Sequence, residues 1–287
     1  MSAKRITYLV WCWWCALILP AHGQNMQQLE TIKKIKNNEI TFGTWVYLKD
    51  PTITEIMARA GFDWLILDME HGVMNEEIVQ NLMMPLNGSK CVPLVRPYKN
   101  DVDVIGKVID TGALGIIIHL VNTPEEAERG IKACYYPPKG NRGMGYARLT
   151  GFGQREQEYL KIANEAMLVV IMIETRKGVE NIEKILDVPG IDVVLVGTFD
   201  LAADLGHLGQ FEHPAVLEAK KKVEDACKRR RIPTAAWAND RQGIEQAIKH
   251  GAHFIELGGD ADFIWQSSER LIKAGLEAKQ EARKKSN

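Results

Sequence analysis

"AGFDWLILDMEHG", residues 60–72, decides the fold. Gly61 ends one element, residues 64–67 are an unbroken apolar run, and Asp68, Glu70 and His71 follow within four positions before the turn at Gly72. A short run bounded by turn residues suits a strand buried on both faces, as in parallel sheets. A core strand that ends in two carboxylates and an imidazole is the arrangement a (β/α)8 barrel uses at its catalytic mouth, where the C-terminal ends of the strands carry the chemistry.

The same pattern repeats along the chain. Apolar or β-branched runs at 40–46, 64–67, 92–95, 114–118, 168–173, 193–196, 233–236 and 253–257 alternate with helical patterns at 52–60, 75–85, 102–110, 124–133, 179–186, 215–228 and 241–250. Turns such as "TGALG", "PGIDV" and "HGAHF" place Gly where helices should end. Eight strands alternating with helices predict a single (β/α)8 barrel over 27–287, a length usual for that fold. A last helix over 261–285 outlasts its neighbours, either as a solvated tail or as packing for another subunit. One interval is long: 135–166 holds "YYPPKGNRGMG" and a helical stretch at 154–164. Arg142, Tyr146 and Arg148 among its glycines favour an ordered active-site or subunit-contact loop over a plain surface excursion.

Residues 1–23 stand apart. Lys4 and Arg5 precede an apolar stretch with Trp11, Trp13 and Trp14, then Pro20, Ala21 and Gly23. That is the layout of an export signal, which would place the mature protein outside the cytoplasm. The competing reading is a start codon set too early, with translation from Met26 giving a cytoplasmic enzyme. Neither implies a membrane anchor for the mature chain. The cysteines beyond this segment, Cys91, Cys134 and Cys227, are odd in number and widely spaced, which argues for single thiols over a disulfide framework. A formal net charge of −1 with scattered Lys and Arg gives nucleic acid no electrostatic footprint. The short basic run at 228–231 falls where a helix dipole favours cations.

The first polar positions after the second to sixth strands are Asp68, Glu70 and His71, then Arg96, His119, Glu174 and Asp200, and the eighth strand ends at Gly258 and Gly259. So many ionisable groups at neighbouring strand ends are costly unless paired or bound to metal. Glu174 and Asp200 suit a hard divalent ion, Mg²⁺ or Mn²⁺ first and Co²⁺ as a further option, although each could instead pair with an arginine or cap a helix. Arg96 could hold a carboxylate or an enolate oxygen, pair with Asp68 or Glu70, or do both. His71 beside carboxylates could move protons near neutral pH, while His119 has only its position to support it. The Gly258–Gly259 pair could approach a phosphate. No expected strand carries a lysine, so Schiff-base chemistry is disfavoured, and no GxGxxG or P-loop points to a nucleotide cofactor.

Taken in order, "FGTW", "AGFDWLILDMEHG", "LVRP", "YYPPKGNRGMG", "IMIET", "VGTFDLAADLG" and "GAHFIELGGD" resemble the HpcH/HpaI family of metal-dependent pyruvate aldolases, over about 41–274. The resemblance implies a (β/α)8 barrel assembled as a hexamer, a trimer of dimers that exchange the last helix. It implies reversible cleavage of a 2-keto-4-hydroxy acid to pyruvate or a related keto acid plus an aldehyde. It also implies that Glu174 and Asp200 hold the metal, that Arg96 steadies the enolate oxygen, and that Asp68 organises metal-bound water. By the same likeness His71 handles the aldol proton, oriented by Asp110 of this or a neighbouring subunit. Trp45, Met172, Gly197, Thr198, Phe199 and Trp237 would line the substrate pocket, with the backbone of residues 197–199 cradling the pyruvate carboxylate. Met172 stands where the family often has glutamine, Thr198 where proline is common, and His119 and Trp237 where smaller apolar residues are usual. A citryl- or malyl-thioester lyase, which needs a CoA surface, and a non-catalytic sugar-acid binder are the competing expectations.

Overall fold

The computed structural model describes residues 23–286. The segment read above as a signal or spurious extension lies outside these residues, apart from Gly23, where a first helix (Gly23–Lys36) begins. Eight parallel strands follow: β1 (Thr41–Val46), β2 (Trp64–Asp68), β3 (Val92–Arg96), β4 (Gly115–Ile118), β5 (Leu168–Ile173), β6 (Val193–Val196), β7 (Ala235–Ala238) and β8 (Phe254–Gly259). They form one sheet in the order β6-β5-β4-β3-β2-β1-β8-β7. A parallel bridge between Val194 and Thr234, with the Val194 N–H donating to the Pro233 carbonyl at 3.0 Å, joins β6 to β7. The strands thus make the expected (β/α)8 barrel, with helices packed around it.

Its floor shows how sequence dictates packing. Trp64 lies flat on Phe254, with ring centroids 3.7 Å apart, and its Nε1 donates to Thr41 Oγ1 at 3.2 Å. A side chain at Gly43 of β1 would leave no room for this pair, because a Cβ there would fall 2.0 Å from the indole. Period-two alternation then sends Asp68, at the far end of β2, to the same inner side as Trp64, while Leu65 and Leu67 are fully buried towards the helices. The helix before β2 (Pro51–Ala60) is capped by the Asp50 side chain on the Thr52 N–H, and it ends at Gly61 with φ 107°.

Departures from the expected elements have local causes. The strand expected at 233–236 lies at Ala235–Ala238, since Pro233 has no N–H to donate to a ladder. The helix expected at 179–186 is two short helices, Arg176–Glu180 and Ile182–Ile185, divided at Asn181, whose side-chain amide instead donates to the Asn122 carbonyl at 2.8 Å. β8 runs on through Gly258 and Gly259, and its register against β1 shifts between Gly43 and Trp45. The last helix (Asp260–Ser286) leaves the barrel with Trp265, Leu271, Ile272 and Leu276 all more than half exposed.

Candidate active site

The mouth is built from strand ends. Arg96 closes β3 and reaches across to Asp68 at the end of β2, Nε to Oδ1 at 2.8 Å and Nη2 to Oδ2 at 2.6 Å. Both side chains are almost wholly buried, so the planar fork and the carboxylate compensate each other's lost hydration. Arg96 Nη1 lies 2.9 Å from Glu70 Oε2, and its guanidinium sits over the Trp45 ring, 4.6 Å from the centroid. The free face of the Asp68 carboxylate also accepts the Glu70 N–H at 3.0 Å, which fixes the turn that carries His71. His71 Nε2 is 3.9 Å from Glu70 Oε2 and its side chain is 59% exposed, so it faces the solvent side of the mouth. His119, directly after β4, is buried, with Nδ1 3.0 Å from Glu70 Oε1. Burial pushes the Glu70 carboxyl up, but the contact with His119 and the charges of His119, Arg96 and His71 outweigh it and hold the group below the usual carboxylate range.

Glu174, the first residue after β5, is treated oppositely. It is buried, and that burial, with the nearby charges of Asp200 and Glu70, pushes its carboxyl up to about 7, against the pull of the Leu120 N–H donating to Oε1 at 2.6 Å. To aim that N–H, Leu120 adopts φ 52°, an uncommon conformation for a leucine. Asp200 lies in the first turn of a helix (Thr198–Asp204) that starts at Gly197. Gly197 has no substitute in this setting: a Cβ there would lie 2.5 Å from Glu174 Oε2 and 2.6 Å from the Met172 methyl. Met172 in turn brings its sulfur to 3.9 Å from Arg96 Nη1. Glu174 and Asp200 offer oxygen donors only, and among the described residues no cluster of three or more His, Cys, Asp or Glu could hold an ion alone. A hard divalent cation that takes two protein carboxylates and completes its shell with water and substrate fits this set.

A family model described as HpcH/HpaI aldolase/citrate lyase matches residues 41–266. The chain belongs to the HpcH/HpaI family. It is 35% identical over 250 residues to the hydroxypyruvate/pyruvate aldolase of Roseobacter denitrificans, covering 85% of this chain and 96% of that protein. It is 32% identical over 233 residues to the 5-keto-4-deoxy-D-glucarate aldolase of Shigella sonnei, covering 81% and 91%. Among solved structures, an HpcH/HpaI aldolase/citrate lyase family protein from Burkholderia cenocepacia superposes with a TM-score of 0.82 at 28% identity, covering 86% of this chain and 99% of that one. The protein is a carbon–carbon lyase of the aldolase type.

Within this HpcH/HpaI barrel, one expected partnership is not made inside a single protomer. Asp110 ends the helix Val102–Asp110 and receives Arg142 Nη2 at 2.8 Å, so it belongs to the 135–166 loop and not to His71. Thr198 and Phe199 open the Asp200 helix, where Phe199 is exposed and packs edge-on against Phe211. Trp237 lies within β7, half exposed, beside a cavity of about 380 Å³ that it shares with Asn239, Leu257 and Phe263. The Gly258–Gly259 pair serves packing: Gly258 takes φ 61° and its carbonyl accepts Thr44 Oγ1 at 2.7 Å, while a Cβ on Gly259 would press the Tyr47 ring. Two functional-looking carboxyls escaped the sequence reading. Glu256, inside β8, accepts the Trp45 Nε1–H and is pushed up to about 7 by burial. Its inward position follows from counting two residues on from Phe254, a signal present in the sequence. Asp260, 1% exposed, gathers the N–H groups of Tyr47, Leu48 and Ala261, which ties the end of β1 to the start of the last helix.

Proposed function

We propose that the protein is a divalent-metal-dependent aldolase that reversibly cleaves a 2-keto-4-hydroxy acid to pyruvate, or a close relative of it, and an aldehyde. The observation that carries this reading is the placement of Glu174: a buried carboxyl held by the Leu120 N–H beside Asp200, raised towards neutrality by burial and by its carboxylate neighbours, at the strand ends where a barrel does its chemistry. Mg²⁺ or Mn²⁺, held by Glu174 and Asp200, would supply the electron sink for the enolate that aldol cleavage leaves behind. The chain's own groups do the rest. Arg96, locked by Asp68 and Glu70, presents fixed positive charge to the oxygen that becomes negative, with no reorganisation during the reaction. His71, half in solvent and polarised by Glu70, takes the proton of the aldol hydroxyl and returns it in the synthetic direction. The backbone of residues 197–199 holds the keto-acid carboxylate, while Trp45 and Met172 pack around Arg96.

The two aldolase relatives, one named for pyruvate and hydroxypyruvate and the other for a keto-deoxy sugar acid, support a keto-acid donor over a thioester. The exposed apolar face of the last helix supports an oligomer in which it docks on a neighbouring copy, a hexamer if the dimers associate in threes. The test is pyruvate release from 2-keto-3-deoxy sugar acids, before and after chelation. Activity lost with chelator and regained with Mg²⁺ or Mn²⁺ is the expected result, and chelator-insensitive cleavage would overturn the metal assignment.

A further inference from the structure

His119 is buried, yet neither ring nitrogen has an aligned hydrogen-bond partner: Nδ1 is close to Glu70 Oε1 but off its bonding axis, and Nε2 has no partner at all. The residue is not loosely placed. Its carbonyl receives the Asn100 side-chain amide, and the following residues are pinned by the Leu120 N–H on Glu174 and the Val121 N–H on the Met172 carbonyl at 3.2 Å. A fixed, buried imidazole left unsatisfied is a costly arrangement unless a ligand completes it. We propose that His119 is a specificity-determining residue whose Nε2 pairs with a hydroxyl on the keto-acid donor, making a 3-hydroxylated 2-keto acid the preferred donor over its methyl counterpart. The inference rests on the keto-acid reading of the site given above.

Three features choose that group. Strand order places His119 between Arg96 of β3 and Glu174 of β5, the two residues that flank the donor's keto oxygen. Its burial confines it to the inner part of the site, whereas the aldehyde must arrive past the exposed His71 and Trp237. Finally, Asp68 and Glu70 both engage the Arg96 guanidinium, so it has no free edge for a second carboxylate on the donor, whereas a neutral hydroxyl needs none. Nε2, with no protein partner, needs a group that suits it whether it donates or accepts, and on a keto acid a hydroxyl is the group that does both.

The test compares two donors without any aldehyde: deuterium exchange at C3 of hydroxypyruvate and of pyruvate in D₂O, followed by NMR with saturating Mn²⁺-free Mg²⁺, for the wild type, H119L and H119Q. The wild type is expected to show the lower KM with hydroxypyruvate. H119L should raise that KM about tenfold more than it raises the KM for pyruvate, and H119Q, which keeps a polar group, should recover part of the difference. An unchanged ratio of the two KM values in either variant would overturn the assignment, as would loss of exchange with both donors in folded H119Q. Absence of exchange with either donor in the wild type would overturn the keto-acid reading itself, which separates the two failures.

Discussion

Replacing Glu174 by Gln keeps the acceptor for the Leu120 N–H and the shape of the side chain while removing the charge. The consequence for stability follows from the raised carboxyl, whose ordinary value is 4.5 and whose folded value is about 7. A group raised in the folded state contributes its stabilisation fully below the unfolded value and loses it as pH climbs through the folded one. At about 1.4 kcal/mol per pH unit, holding Glu174 ionised in metal-free protein above pH 7 costs about 3 kcal/mol. Metal-free E174Q should therefore match the wild type near pH 4.5 and become more stable as pH rises, by roughly 6 °C in Tm at pH 8. Glu256 is also raised by burial but is common to both proteins, so it cancels in the difference. The assay is thermal unfolding in chelator from pH 5 to 8.5, repeated with Mn²⁺, which should stabilise the wild type increasingly with pH and leave E174Q nearly unmoved. A Tm difference that does not change with pH, or an E174Q protein less stable than the wild type at pH 8, would refute the reasoning.

Gly197→Ala should cost at least tenfold in Mn²⁺ affinity, measured by calorimetry, because its methyl collides with the Glu174 carboxylate; unchanged affinity would mean that Glu174 does not hold the ion. Arg96→Met leaves Asp68 buried without its partner, so urea denaturation should show a loss of about 3–5 kcal/mol together with loss of activity, whereas a mild effect would mean that Asp68 finds another cation. The double variant L271E/I272E should lower the oligomeric state measured by light scattering, since both side chains are two-thirds exposed in the protomer, and an unchanged mass would place the interface elsewhere.

The barrel was legible because its strands are buried on both faces and so appear as apolar runs, and because the turns between them carry glycines such as Gly61 where a left-handed residue is needed. Asp68, Arg96 and Glu174 were legible by position, as the first polar groups after β2, β3 and β5 begin to face the mouth. What could not be read was pairing across strands. Nothing local in the sequence says that Arg96 would bind both Asp68 and Glu70, or that Leu120 would strain its backbone to serve Glu174. Glu256 was hidden inside an apolar run, where only its inward parity marks it. Asp110 lies at the end of a helix on the outside of the barrel, and its side chain is committed to Arg142, so any role beside His71 requires a second copy of the chain.

The central claim is that Glu174 and Asp200 support enolate formation from a keto acid, and proton exchange at the pyruvate methyl group in D₂O measures that step alone. With folded protein and Mg²⁺ or Mn²⁺, exchange should be rapid, fall away with chelator and be lost in Glu174→Ala. Exchange that persists in chelator, or none with either ion, would contradict the account.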